Sequence, residues 1–155
     1  MALQLTSTAF REGEPIPQQY TGDGRNVSPP LRWQDPPAGT RSLALICEDP
    51  DAPRGTFTHW VAFNLPADSH ELGEGVPGEG TLPNGTAQGT NDFGRVGYGG
   101  PSPPPGKPHR YIFTLYALDG PLNLRPGATK GQALAALKGH VLGEGQLVGT
   151  YGRQR

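Results

Sequence analysis

The sequence predicts a single, loop-rich, mostly β domain of sandwich or layered form. Three observations carry that reading. First, Arg41 to Glu48, Phe57 to Leu65 and Arg110 to Leu118 alternate at the strand period and are apolar on both faces, a pattern that belongs to the covered middle of a sheet. Second, turn-forming residues separate these runs. The chain holds 24 glycines and 18 prolines, yet its aromatics fall inside the apolar runs, so the composition describes loops between strands rather than a low-complexity chain. Third, 155 residues are enough for one domain with a sizeable core.

Taken in order, Leu3 to Phe10 alternates weakly, is rich in threonine, and reads as an outer strand. Residues 11–30 are polar and turn-rich. In the stretch from Asn26 to Trp33, NVSPPLRW, two prolines force an extended path. Trp33 plugs the end of the core, with ligand stacking as the alternative. Asp35 to Thr40 is a turn. In the first long strand Leu43, Leu45 and Cys47 share a face, and Ala44 and Ile46 take the other. In the second, Phe57, His59, Val61 and Phe63 oppose Trp60 and Ala62. In the third, Tyr111, Phe113 and Leu115 oppose Ile112 and Tyr116. Pro66 to Pro108 shows little regular pattern, which inside a compact domain points to function or disorder. Thr129 to His140 is a helix: Thr129 and Gln132 form a capping box, Leu134, Leu137 and Val141 give the apolar stripe, and Gly139 is the stop. Gly145 to Tyr151 reads as a last strand.

Composition excludes several classes. A formal net charge of −1 gives no broad field for nucleic acid or an anionic membrane. No apolar run reaches the roughly 18 residues that a membrane span needs. The N-terminus lacks a basic segment followed by an apolar one, so no secretion signal is expected. The single cysteine, Cys47, permits no internal disulfide and reads as a small core hydrophobe. A cytoplasmic protein follows.

The candidate chemistry sits where the long strands end. Asp49-Pro50-Asp51-Ala52-Pro53 holds two carboxylates on a proline-stiffened turn; alone, such a turn equally accepts its own backbone N–H groups. His59 lies within an apolar strand, where a satisfied core histidine is the plain alternative. His109 has the parity of Tyr111 and Phe113. If the three strands are neighbours, Asp49, His59 and His109 converge at one edge, where two imidazoles can offer hydrogen to an anion and a carboxylate can fix a tautomer. Gly97 to Gly100 could turn backbone amides toward the same point. Arg110 has the opposite parity and reads as the partner of Asp51. A metal site has the right ligand types but no compact spacing, and no serine lies in a nucleophile elbow. Asp92-Phe93-Gly94 copies a kinase tripeptide without the lysine or catalytic-loop signature, and is set aside.

Together NVSPPLRW (26–33), DPDAP (49–53), THWVAFNL (58–65), NDFG (91–94), GYGGPSPPPG (97–106) and HRYIFTLYALD (109–119) resemble the phosphatidylethanolamine-binding protein (PEBP) family. That group includes Raf kinase inhibitor protein, and the likeness is greatest to its short bacterial branch. The resemblance covers nearly the whole chain in order, through GTYGR at 149–153. It implies a sandwich with a large central sheet, a smaller sheet and one or two short helices. It also implies a pocket for a small anion or phosphoryl group, walled by Asp49, Ala52, Pro53, His59, Gly99, Pro101, Pro103, His109 and Tyr111. A cis peptide in the 49–53 turn, at Pro53, and a homodimer are further implications. The connection from Pro53 to His59 is short and the C-terminal extension of longer members is missing, which removes pieces that help line the pocket there.

The resulting expectation is a small-anion or phosphoryl-ligand binding protein without turnover, needing no cofactor or metal. Asp51, Arg110 and Trp33 are its structural supports. Two alternatives stand beside it: a kinase or protease inhibitor acting through the 66–100 surface, and a hydrolase using His59 as general base.

Overall fold

The three apolar runs lie side by side and are covered on both faces. The computed structural model describes residues 3–153. In chain order its elements are β1 (Gln4–Thr6), β2 (Leu31–Gln34), β3 (Ser42–Asp49), β4 (Phe57–Pro66), β5 (Glu71–Leu72), β6 (Ala87–Gln88), β7 (His109–Leu118), α1 (Lys130–Leu137) and β8 (Val141–Tyr151). A five-stranded sheet has the order β6-β4-β3-β7-β8, and a three-stranded sheet the order β1-β2-β5. All ladders between these strands are antiparallel.

Burial explains the two-faced apolar pattern. On one face of the large sheet Leu45, Cys47, Trp60, Tyr111, Phe113 and Leu115 pack with Leu5, Leu31, Trp33 and Leu72 of the small sheet. On the other, Ala44, Val61, Phe63 and Leu118 lie with Ala133 and Leu137 of α1 and with Leu122 and Ala128. Each large side chain so buried contributes about 1.5–3 kcal/mol relative to exposure. Trp33 stands opposite Leu5, is buried, and donates Nε1–H to Ser69 O at 2.8 Å. It is a core residue with a satisfied indole. Among the described residues no helix is long and apolar enough to cross a membrane.

This topology positions the site. β3 runs antiparallel to both neighbours, so its C-terminal end meets the starts of β4 and β7. Asp49 stands opposite Phe57, and His109 begins β7. Three segments distant along the chain therefore share one edge of the sheet.

Several expectations need correction. β1 is only Gln4–Thr6, because Ser7 turns away: its Oγ donates to Pro30 O and accepts from Ala9 N–H. β8 begins at Val141 rather than Gly145; Gly143 and Gly145 interrupt the apolar alternation without interrupting the pairing with β7. The capping box of Thr129 and Gln132 is present, but α1 ends at Leu137. Its buried residues are Ala133 and Leu137, while Val141 belongs to β8 and is exposed. No peptide bond among the described residues is cis, Pro53 included. The trans form is the ordinary preference, and the turn is closed by other means: Asp51 N–H donates to Asp49 Oδ1, and Gly55, with φ +109°, donates its N–H to Ala52 O. A residue with a side chain would be strained at that φ. The 66–108 region is more ordered than its sequence pattern. It carries β5 and β6, and the buried Gln88 accepts from Trp60 Nε1–H while donating to Pro77 O and Glu79 O.

Candidate functional site

At the shared edge lies a cavity of about 120 Å³. Asp49, His59, His109 and Tyr111 supply its polar part. Ala52, Pro53, Phe57, Phe93, Pro103 and Pro104 supply an apolar part, and Ser102 completes the lining. Asp49, His59, His109 and Tyr111 are all buried.

His59 reaches this cavity because β4 is bulged. Trp60 stands opposite Cys47, but Thr58 rather than His59 stands opposite Glu48. An extra residue of this kind re-aims a side chain. Past the bulge, Val61 and Phe63 face the helix side. His59 instead packs its ring against Tyr111 at 5.2 Å and Phe57 at 4.9 Å. The expectation that His59 shares a face with Val61 and Phe63 is therefore wrong: strict alternation does not survive a bulge.

Both imidazoles are tethered at the same atom. His59 Nδ1 lies 2.6 Å from Gly99 O. A carbonyl only accepts, so the proton sits on Nδ1. His109 Nδ1 lies 2.7 Å from Asp49 Oδ2 and donates to that carboxylate. Each ring keeps Nε2 as its second nitrogen, an acceptor when neutral and a donor when protonated. Burial holds His59 below the ordinary histidine range, opposed in part by the Gly99 carbonyl and by Asp49. Burial, then the Asp49 charge, pushes the Tyr111 phenol up. Its hydroxyl is one of two buried side-chain oxygens without a protein partner among the described residues, the other being Thr86 Oγ1.

Of the expected site residues, Asp49, Ala52, Pro53, His59, Pro103, His109 and Tyr111 line the cavity. Gly99 and Pro101 do not. Gly99 acts behind the lining: its carbonyl accepts the hydrogen bond from His59 Nδ1–H, and a Cβ there would stand 2.4 Å from Phe93 Cδ2. Only glycine lets the Phe93 ring lie so close. Pro101 O accepts from Gly22 N–H. The proposed nest of amides is absent, because those donors are used: Gly97 N–H bonds Gly89 O, Gly99 N–H bonds His59 O, and Gly100 N–H bonds Asn26 Oδ1. Arg110 pairs with Asp51, Nη2 to Oδ1 at 2.9 Å and Nε to Oδ2 at 3.0 Å, which holds the Asp51 carboxyl at about 2.

Phe57, Phe93, Ser102 and Pro104 line the cavity without having been expected there. The signal for Phe93 was the NDFG stretch set aside as a chance kinase tripeptide. Its turn is tightly held: Asn91 Oδ1 accepts from Phe93 and Arg95 N–H, Asn91 Nδ2 donates to Gly97 O, and Asp92 Oδ2 accepts from Thr58 N–H. The Phe93 ring then meets Phe57 at 4.8 Å and His59 at 5.5 Å.

The family profile described as phosphatidylethanolamine-binding protein matches residues 6–152. The chain belongs to the phosphatidylethanolamine-binding protein family. A UPF0098 protein of Methanothermobacter thermautotrophicus is 55% identical over 97% of this chain and 99% of its own length. One from Aquifex aeolicus is 46% identical over 97% and 89%. Among solved structures, a PEBP homologue from Chlamydia trachomatis, CT736, is 42% identical with a TM-score of 0.90, covering 99% of each chain. E. coli YbcL, described as a new member of the mammalian PEBP family, is 33% identical with a TM-score of 0.93 over 99% of this chain and 100% of its own. The PEBP sandwich expected from the sequence, a larger and a smaller sheet with one helix, is the fold observed.

In this PEBP fold the cavity joins a proton-bearing polar part to an apolar one. Among the described residues no lysine or arginine lines it. Among the described residues no group of three or more His, Cys, Asp or Glu side chains is arranged to hold a metal ion.

Proposed function

We propose that the protein is an oxyanion-binding module, cytoplasmic and acting without turnover, whose cavity holds a small phosphoryl or carboxylate group between His59 and His109. The observation that carries this reading is Tyr111: it lines the cavity, and its buried hydroxyl has no protein partner among the described residues. A buried hydroxyl left unpaired costs about 1–3 kcal/mol, and a ligand oxygen would relieve that. The Nδ1 tethers support the same reading, since they leave one nitrogen of each ring for a ligand. Asp49 fixes the tautomer of His109 by accepting its Nδ1–H. Binding rather than turnover is supported by Ser102, the one hydroxyl-bearing aliphatic side chain in the lining. Its Oγ lies against Gly22, where a Cβ would come within 2.1 Å of it, and it makes no hydrogen bond to His109. Two charge-assisted contacts of about 1.5–3 kcal/mol each, less the ordering of the ligand, give modest affinity.

The test is titration calorimetry with acetate and with methyl phosphate at about pH 6, on the native protein and on the His59→Ala, His109→Ala double variant. Binding by the native protein and its loss in the variant is expected. An unchanged affinity in the variant rejects the reading.

A further inference from the structure

We infer, resting on the oxyanion reading above, that the cavity compensates one negative charge and not two, and so selects singly charged oxyanions over dianionic phosphomonoesters. Little free positive charge can reach the ligand. Two guanidinium groups beside the polar part, those of Arg110 and Arg153, are already matched. Arg110 is held by Asp51, and Arg153 grips Asp23, with Nη2 to Oδ1 at 2.7 Å and Nε to Oδ2 at 2.9 Å. Arg54, Arg95 and Lys107 neighbour the lining in sequence but are exposed and outside it. The Arg95 guanidinium lies 5.7 Å from the centroid of the Phe93 ring.

Among the described residues, positive charge at the ligand therefore comes from the imidazoles alone. His109, when protonated, is matched by Asp49 at 2.7 Å. Among the described residues that leaves His59 as the one cation free to meet an anion. The groups facing His59 are Asp49 from β3, Tyr111 from β7 and Asp92 from the 91–97 turn. Asp92 is exposed and occupied by Thr58 N–H. The groups facing His109 are Asp49 and Asp51, with Arg110 beside it and paired to Asp51. None of these adds a second free positive charge. Around the polar part stand Phe57, Phe93, Pro53 and Pro103, which cannot compensate a second negative charge, and burying an uncompensated charge is strongly penalised. Burial keeps His59 neutral in the free protein near pH 7, so a singly charged ligand binds with proton uptake at this ring. A dianion must gain a further proton.

The experiment compares dimethyl phosphate, acetate and methyl phosphate by calorimetry at about pH 8, where a phosphomonoester carries close to two charges. Buffers of different ionisation heat count the protons taken up. Both singly charged probes are expected to bind about tenfold or more tightly than methyl phosphate, with the gap closing toward about pH 5.5 as the monoester gains its proton. Whichever of acetate and dimethyl phosphate binds more tightly assigns the natural ligand to a carboxylate or a phosphoryl source. Asp49→Asn keeps an acceptor for His109 Nδ1–H but removes the matched negative charge, so the gap at about pH 8 should shrink or invert. If that variant does not fold, the pH dependence of the native protein alone decides. Equal or tighter binding of methyl phosphate at about pH 8 overturns charge selection while leaving the oxyanion reading intact. No binding of any probe at any pH removes the oxyanion reading and this inference with it.

Discussion

Tyr111→Phe separates what the cavity does for a ligand from what it does for the fold. The change removes a single oxygen that has no protein partner and keeps a ring that is fully buried beside His59 at 5.2 Å. No protein hydrogen bond is lost, so unliganded stability should hold or rise by up to about 1 kcal/mol. For a domain of this size that is about 2–4 °C in Tm. Binding should move the other way. A hydrogen bond to a charged oxygen is worth about 1.5–3 kcal/mol, which is roughly a ten- to hundredfold loss of affinity. The assay is paired: thermal unfolding without ligand, and calorimetry with dimethyl phosphate. A variant that binds as well as the native protein, or that loses more than about 1 kcal/mol of unliganded stability, refutes the assignment of this hydroxyl to the ligand.

Three further changes probe the surroundings. Gly99→Ala sets a methyl 2.4 Å from Phe93 Cδ2. It should lower stability by about 1–3 kcal/mol in denaturant unfolding, and Phe93→Ala in the same chain should restore part of the loss. Asp51→Asn tests the depressed carboxyl. Its folded value of about 2 lies below the ordinary value of about 3.9, so its stabilisation is present above that ordinary value and lost as pH falls toward the folded one. The Tm difference between native and variant should therefore shrink between about pH 4 and about pH 2; a constant difference would show that the Arg110 pair is not its source. Arg153→Ala releases Pro103 O, which accepts from Nη1 at 3.1 Å, and frees a lining residue. Calorimetry should show severalfold weaker oxyanion binding, and unchanged binding would show that the rim stands without this clamp.

The central sheet was legible because β3, β4 and β7 announce themselves by alternation, and because antiparallel neighbours must bring the end of one strand to the starts of the others. That geometry brings Asp49, His59 and His109 to one edge of the sheet, but the bulge is what turns the His59 ring into the cavity. The bulge was not legible, since it is a mismatch between two strands and leaves no trace in the period of one. Phe93 escaped for a related reason: its place depends on the Asn91 and Asp92 turn closing onto β4 through Thr58, a tertiary event with no periodic signal. The glycine-rich stretch has the sequence of an anion nest, but the acceptors of its amides, Gly89 O, His59 O and Asn26 Oδ1, lie in other segments. The start of β8 was hidden by Gly143 and Gly145, whose pairing is set by β7 rather than by their own preference. The Asp23–Arg153 clamp joins residues 130 apart, beyond what local pattern can reach.

In the proposed site two imidazoles, each tied at Nδ1, turn Nε2 toward a negative oxygen beside the Tyr111 hydroxyl. Nitrogen NMR of the His59 and His109 rings near neutral pH, with and without saturating dimethyl phosphate, tests it most directly. The account predicts that His59 Nε2 changes from a bare to a proton-bearing nitrogen as ligand is added, and that His109 Nε2 shifts with it. Ring nitrogens that stay unmoved while the ligand binds would contradict it.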